Sequence, residues 1–459
     1  MKKMTTGKMW LFAVGQFGWA LLSGLVASWL VYFYQPDASN IADGQIIFIP
    51  QGKVILGALT ILGLIAAGGR IFDAITDPLI ASASDKCKSP KGRRIPFMKW
   101  SAIPFAVVTV LVFCAPINHI SWGNAVWLFI FIPLYYLAIT AYCTPYTALF
   151  AELGSTPEER MKLSTFISLT FIVGTAVAYV APTIWGVLEP VLGRVVAMRT
   201  AFSILAIIAT ICMLIPVFFI TEKDYVNAKP SETNALQSLK KTFGNAQFRV
   251  FVGQDIVYFI ALTMFQTGLP FFITLIFGLP ESMFMPMFVG MTVLSLVFYL
   301  PINAATKKFG KKRVLLFAFL MFTISYTFTT LGTWIPLPSL AKGIFLVVCS
   351  SLPMAIFGIL PQAMVADIAE YDGIKTGENR QGMFFAARTF CFKLGQSLAM
   401  LLFTSISIMG SLDGSTTLLG CRMVAMIAAI LCACGGIVLI FFNEKKILNG
   451  IKNPETINK

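Results

Sequence analysis

Long apolar runs alternate with short polar loops along almost the whole chain, and each run is near the ~20 residues that a helix needs to cross the hydrocarbon core of a bilayer. The runs lie near 9–34, 52–81, 97–115, 123–152, 162–188, 197–221, 248–277, 284–305, 312–332, 342–369, 382–409 and 420–443. A backbone crossing lipid must satisfy its own polar groups, so the pattern predicts an all-α membrane protein of twelve transmembrane helices. The polar stretch 221–247, with Glu222, Lys223, Asp224, Lys229, Pro230, Ser231 and Glu232, divides the runs into two sets of six. It sets the expected organisation: a six-helix bundle over 1–221, a cytoplasmic linker over 222–247 and a second bundle with a short tail over 248–459. The segment 35–54 is a longish outer loop that either caps an entrance or extends the second helix.

A weak repeat supports this division. Asp85 precedes Gly92-Arg93-Arg94 by seven residues after the second run, and Asn303 precedes Gly310-Lys311-Lys312 by seven after the eighth. The repeat is direct, and parallel halves of this kind enclose a solute site near the midplane whose access alternates between the two sides.

Composition excludes a soluble globule: 57% of residues are hydrophobic and 12% charged, with a mean hydropathy of +0.80. The net charge of +14 raises the question of nucleic acid, but most of the 35 Lys and Arg fall in loops on one side of the predicted topology, the side that holds both termini. That bias is a topology signal, and it places both termini in the cytoplasm. The first run extends well beyond a signal-peptide core and lacks an A-x-A site, so it is expected to remain as a span. Eight of the nine cysteines fall in apolar runs or at their edges and Cys87 lies in a polar loop, so no disulfide framework is implied. The single histidine, His119, reads as an ordinary loop residue.

The charges inside the runs carry the chemistry. Asp73 and Asp77 close the second run, in Gly69-Arg-Ile-Phe-Asp-Ala-Ile-Thr-Asp-Pro78. On insertion scales a carboxylate at the middle of a span costs about 2.5–3.5 kcal/mol. At a spacing of i, i+4 both side chains leave one helical face, where they can share a cation or a proton.

Four stretches together resemble a known family. Asp85 to Arg94 is similar to the loop 2–3 signature of the major facilitator superfamily, and Arg70-x-x-Asp-Ala-x-x-Asp-Pro78 resembles the helix-2 signature of the glycoside–pentoside–hexuronide cation symporters. Pro361-Gln-Ala-Met-Val-Ala-Asp-Ile-Ala-Glu-Tyr-Asp372 with Lys375-Thr-Gly-Glu-Asn-Arg380 resembles that family's loop 10–11, and Phe392-Lys-Leu-Gly-Gln-Ser397 its helix 11. The resemblance implies the major facilitator fold, with twelve transmembrane helices in two six-helix halves. It also implies a sodium site at Asp73, Asp77, Thr76 (an Asn in the family) and Thr140, a coupling role for Lys393, and a gating loop with Asp85, Arg93 and Arg94. The sugar clamp of galactoside-transporting members is absent: its positions hold Ala20, Cys143 and Ser168, with Trp19 replacing a Lys and Thr147 a Trp. Gln16, Trp19, Tyr142 and Tyr146 remain as cavity candidates, with Arg388 and Gln396 in the eleventh run and Gln266 weaker.

Asp255 and Arg388 lie at similar depth in runs seven and eleven, which are neighbours in such folds. The expectation is a buried ion pair, the alternative an Arg388 that faces the cavity and grips an anionic substrate group. Loops 152–160 and 367–380 are crowded with charge and form either a salt-bridge latch or a solvated surface. The expected function is secondary active symport of a sugar, glycoside or uronide by alternating access, coupled to sodium, with proton or lithium as alternative ions. No enzyme chemistry and no cofactor are expected, and the partners are a small-molecule solute, the coupling cation and the lipid bilayer, without nucleic acid. A monomer is expected, in a bacterial inner (plasma) membrane. The competing readings are a carrier of a non-sugar solute such as a lysolipid and a substrate sensor that does not translocate.

Overall fold

The computed structural model describes residues 4–50, 53–55, 59–90, 92–153, 157–225, 242–377 and 381–453. Its helices in chain order are α1 (Thr6–Tyr34), α2 (Ala38–Ala42), α3 (Ile61–Asp85), α4 (Ile95–Val112), α5 (Trp122–Leu153), α6 (Pro157–Ala178), α7 (Ala181–Leu192), α8 (Arg194–Phe219), α9 (Ala246–Phe271), α10 (Phe284–Phe309), α11 (Lys311–Leu331), α12 (Ser339–Thr376), α13 (Gln381–Ser407), α14 (Leu418–Ile440) and α15 (Glu444–Lys452). Among the described residues eleven helical stretches are long and apolar enough to cross a membrane. The remaining expected span is α3, a 25-residue helix set apart by Arg70, Asp73 and Asp77. Its start also differs from expectation. Residues 53–60 hold an antiparallel pair, Lys53–Ile55 with Leu59–Thr60, and the helix begins only at Ile61, where the Thr60 hydroxyl accepts the Gly63 N–H at 3.2 Å.

The chain forms two compact units. The first comprises Met1–Glu232 together with Glu281–Met285 and Ile408–Thr417, the second Thr233–Pro280, Pro286–Ser407 and Leu418–Lys459. In the first unit α1 is buried on nearly every side and packs against α6 and α8. The Trp29 indole donates to the Ala178 carbonyl at 2.9 Å, which satisfies its one polar atom inside the core. In the second unit α9 occupies the equivalent central place, against α13 and α14. There Tyr326 donates to the Ala261 carbonyl at 2.5 Å, and Tyr258 stacks on Phe357 with centroids 3.8 Å apart. Apolar side chains such as Leu79, Ile207 and Leu300 stand exposed on the spans, as lipid-facing residues do.

Each unit repeats one device. Gly92 precedes α4 with φ +114° and Gly310 precedes α11 with φ +85°, conformations that favour glycine. The Glu222 carboxylate takes the N–H groups of Arg93 and Arg94 at 2.8 Å each and of Ile95 at 3.2 Å. Glu444 takes those of Lys311 at 2.8 Å and Lys312 at 2.9 Å. A helix N-terminus leaves its first N–H groups without intrahelical partners, and a carboxylate there satisfies them and meets the positive end of the dipole. A side chain at either glycine would strike the carboxylate.

Candidate functional site

The acid pair is built by a close crossing of α3 and α5. A Cβ at Gly69 would collide with Ile132 and Tyr136, so only glycine lets the two helices approach at this level. At the next residue, the Arg70 guanidinium lies over the Tyr136 ring, 4.9 Å from its centroid. The crossing brings Thr140 of α5 onto the acidic face of α3. Its hydroxyl lies 2.6 Å from Asp73 Oδ1 and 3.2 Å from Asp77 Oδ1. Asp73 is 4% exposed, Thr140 3% and Thr76 6%, whereas Asp77 is half-buried. Thr76 donates its hydroxyl to the Asp73 carbonyl at 3.1 Å.

Four oxygen-bearing side chains, two of them carboxylates, therefore share one stretch of the crossing. A hydroxyl has one hydrogen, so Thr140 serves one carboxylate at a time while its lone pairs stay available to a cation. All-oxygen donors suit a hard cation. Among the described residues no group of three or more His, Cys, Asp or Glu is placed to hold a metal.

The other sequence-selected residues are placed as follows. Lys393 is half-buried on α13, in the second unit. Arg388 and Asp255 are brought together bidentately, Nε to Oδ2 at 2.8 Å and Nη2 to Oδ1 at 3.1 Å, with both residues buried. The Phe251 and Phe259 rings stand 6.0 and 5.8 Å from the same guanidinium. Arg388 is thus engaged by a carboxylate of its own unit. Trp19 donates to Gln16 at 3.1 Å and is half-buried against Phe171. Tyr142 and Tyr146, read from the sequence as cavity lining, are fully buried. Their hydroxyls donate to the carbonyls of Met213 and Phe12 at 2.8 Å each, and Tyr146 stacks on Phe12, so both bolt α5 to its neighbours. The physical reason is that a buried hydroxyl needs an acceptor, and a helix carbonyl lies within reach. Gln396 has a buried Oε1 without a hydrogen-bond partner.

In the expected gating loop, Arg94 is buried and reaches the Ser84 hydroxyl at 2.5 Å, while the backbone of Arg93 and Arg94 is held by Glu222. The Asp85 side chain lies outside the described residues, as do those of Glu152, Glu158, Arg160, Glu378 and Arg380 in the crowded loops. Two other acids of that group have partners in their own unit: Asp367 pairs with Lys311 at 2.5 Å, and Asp372 accepts from Asn245 at 3.0 Å.

Sequence reasoning missed Glu222 and Glu444, although a signal was present in Phe218-Phe219-Ile220-Thr221-Glu222-Lys223 and Phe441-Phe442-Asn443-Glu444-Lys445. It also missed Arg194 and Glu281, which bond to each other in the first unit. No spacing rule connects residues so far apart in the chain.

Known proteins supply the context for this geometry. The chain is 23% identical to the inner membrane symporter YicJ of Escherichia coli K12, over 79% of this chain and 77% of that protein. It is 24% identical to the isoprimeverose transporter of Lactiplantibacillus pentosus, over 84% of this chain and 77% of the other. Its fold is similar to the inward-open xylose transporter XylE from E. coli, with a TM-score of 0.67 and 14% identity across 97% of this chain and 98% of that one. These relatives are transporters, not enzymes, and this chain is a multi-pass membrane protein. A family model described as MFS/sugar transport protein matches residues 11–446, and the chain belongs to that family, as a transporter similar to the glycoside–pentoside–hexuronide cation symporters.

Proposed function

We propose that the protein carries a sugar, glycoside or uronide across the membrane together with a cation, sodium first among the candidates, by alternating access. The observation that supports this most is the placement of the Thr140 hydroxyl between Asp73 and Asp77, at 2.6 and 3.2 Å. Two carboxylates converging on one hydroxyl repel each other, and a cation entering there relieves that repulsion. Cation binding and solute binding then strengthen each other by the same factor, as linkage requires. Thr76 adds a hydroxyl oxygen where the family has an amide, and the relatives, among them an isoprimeverose transporter, favour a glycoside as cargo. Lys393 enters this reading as the coupling residue, and both termini are placed in the cytoplasm by the distribution of Lys and Arg.

The test is uptake of labelled sugars, glycosides, uronides and lysolipids into proteoliposomes, with and without an imposed sodium gradient, for wild type, Asp77→Asn, Thr140→Val and Lys393→Ala. Sodium-stimulated uptake of one sugar-type solute, abolished by Asp77→Asn, is the expected result. Thr140→Val should raise the sodium concentration needed for half-maximal uptake about tenfold, the factor that corresponds to one lost ligand worth ~1.4 kcal/mol. Lys393→Ala should leave solute entry but loosen its dependence on sodium. Uptake indifferent to sodium and to Asp77→Asn overturns the coupling assignment. Solute binding without accumulation would mark a sensor instead.

A further inference from the structure

Two short segments belong to the first unit although the chain on both sides of each belongs to the second: 281–285 and 408–417. Each acts as a strap, tied by bonds within the first unit. Thr416 holds the longer one, its N–H donating to the Pro36 carbonyl at 2.9 Å and its hydroxyl to the Gln35 carbonyl at 2.8 Å. Glu281 holds the shorter one through a charged side chain. Its carboxylate accepts from the Tyr32 hydroxyl, from Arg194 Nη2 and from the Trp185 indole, the last at 3.1 Å. Phe284, fully buried, packs beside it against Trp29 and Tyr32.

We propose that Glu281 is a releasable latch, a positioning residue of the transport cycle that holds the 281–285 strap in the first unit in one state and lets it go in another. What distinguishes a releasable bond from a permanent one is what the partners do when it breaks. Here two of the three donors already have a second acceptor in place. Arg194 also bonds Glu189 Oε2 at 3.0 Å and Asn40 Oδ1 at 3.1 Å, and the Tyr32 hydroxyl also reaches Asn40 Oδ1 at 3.1 Å. Departure of Glu281 therefore does not strand a buried cation. Glu281 itself keeps 23% of its side-chain exposure, so water can reach it on release.

The surroundings are also short of partners while the strap is docked. Arg194 Nε, Asn40 Nδ2, Asp37 Oδ2 and Gln45 Oε1 are buried without a hydrogen-bond partner. They belong to one connected cluster, since Gln45 donates to the Tyr32 carbonyl at 2.8 Å and Asp37 accepts the Asn40 N–H at 2.9 Å. Water admitted on release would satisfy these atoms, which lowers the cost of opening. The closed latch is held by charge and aromatic packing; the open one is held by Glu189 and hydration.

This inference uses the transport reading only to name the cycle that the latch serves, and its test needs neither solute nor cation. Hydrogen–deuterium exchange of the full-length protein in lipid nanodiscs, both faces exposed to buffer, reads the backbone of 36–45 and 279–285 directly. Glu281→Gln should raise exchange in both peptides several-fold while peptides over 250–258 stay unchanged. Glu189→Gln should lower it, because Arg194 would then be left without any carboxylate in the released state. A purely structural role predicts a rise in both variants. A rise in both, no change in Glu281→Gln, or a rise spread evenly over the whole chain would each overturn the proposal.

Discussion

Among the described residues, the buried Arg388 and Arg194 each meet carboxylates through their side chains, and they do so in opposite ways. Arg388 and Asp255 form a closed bidentate pair, walled by Phe251 and Phe259, with 7% and 2% of their side chains exposed. Arg194 is as buried, at 5%, but its two carboxylates are about a quarter exposed, Glu189 at 26% and Glu281 at 23%. Breaking the first pair leaves a charge in a dry interior. Breaking the second leaves Arg194 on Glu189, a carboxylate it already holds. The strength of a buried ion pair thus depends less on its geometry than on what each partner finds after separation.

The comparison is broken most sharply from the closed side. Asp255→Asn should destabilise the protein by about 3–5 kcal/mol, because Arg388 is left uncompensated, and a thermal unfolding series in detergent would show it. Adding Arg388→Gln should recover much of that loss. A double variant as unstable as the single one would mean that the pair is not the cause. The caps come next: Glu222→Ala orphans three N–H groups and Glu444→Ala two. Each should cost about 1–3 kcal/mol in the same assay, Glu222 the more. Glu281→Gln should cost under about 1 kcal/mol, since two of its three donors have other acceptors and its own side chain is part-exposed. A cost equal to that of Asp255→Asn would erase the difference between the two pairs.

The smallest effect concerns the 408–417 strap. Hydrogen bonds from Ser415, with further ones from Ser411, hold the Asp413 carboxyl below the usual carboxylate range. A group whose folded pKa is depressed supports the structure above its unfolded pKa and loses that support as pH falls through the folded value. Exchange at 408–417 should therefore rise on acidification below the ordinary carboxylate range, and Asp413→Asn should flatten that rise.

The acid pair shows how far a sequence can be read. The i, i+4 spacing of Asp73 and Asp77 states that two carboxylates share a face, and the helix realises it because that periodicity is a property of the backbone. Which residue stands opposite is decided by Gly69, whose missing side chain sets the depth of the crossing. Depth arguments suggested Asp255 with Arg388, since two charges at one level in apolar spans each need a partner. Tyr142 and Tyr146 read as lining because an aromatic with a hydroxyl suits a cavity as well as a core. In this structure their hydroxyls bond the carbonyls of Met213 and Phe12, partners that no sequence pattern announces.

By itself the sequence determined that this is a polytopic helical membrane protein, and that acid in the apolar stretch around Asp73 and Asp77 demands a cation, a proton or a partner. Those properties follow from hydropathy, charge bias and local spacing, all of which act along the chain. Only the tertiary structure decided how closely Thr140 meets each acid, that Glu222 and Glu444 seal the starts of α4 and α11, and that Arg194 stands among Glu189, Glu281 and Asn40. Apart from Arg194 with Glu189, five positions away, these are contacts between residues separated by tens of positions or more, chosen by how helices cross and by which buried polar group finds an acceptor first. Such choices depend on three-dimensional distance, which the order of residues does not encode.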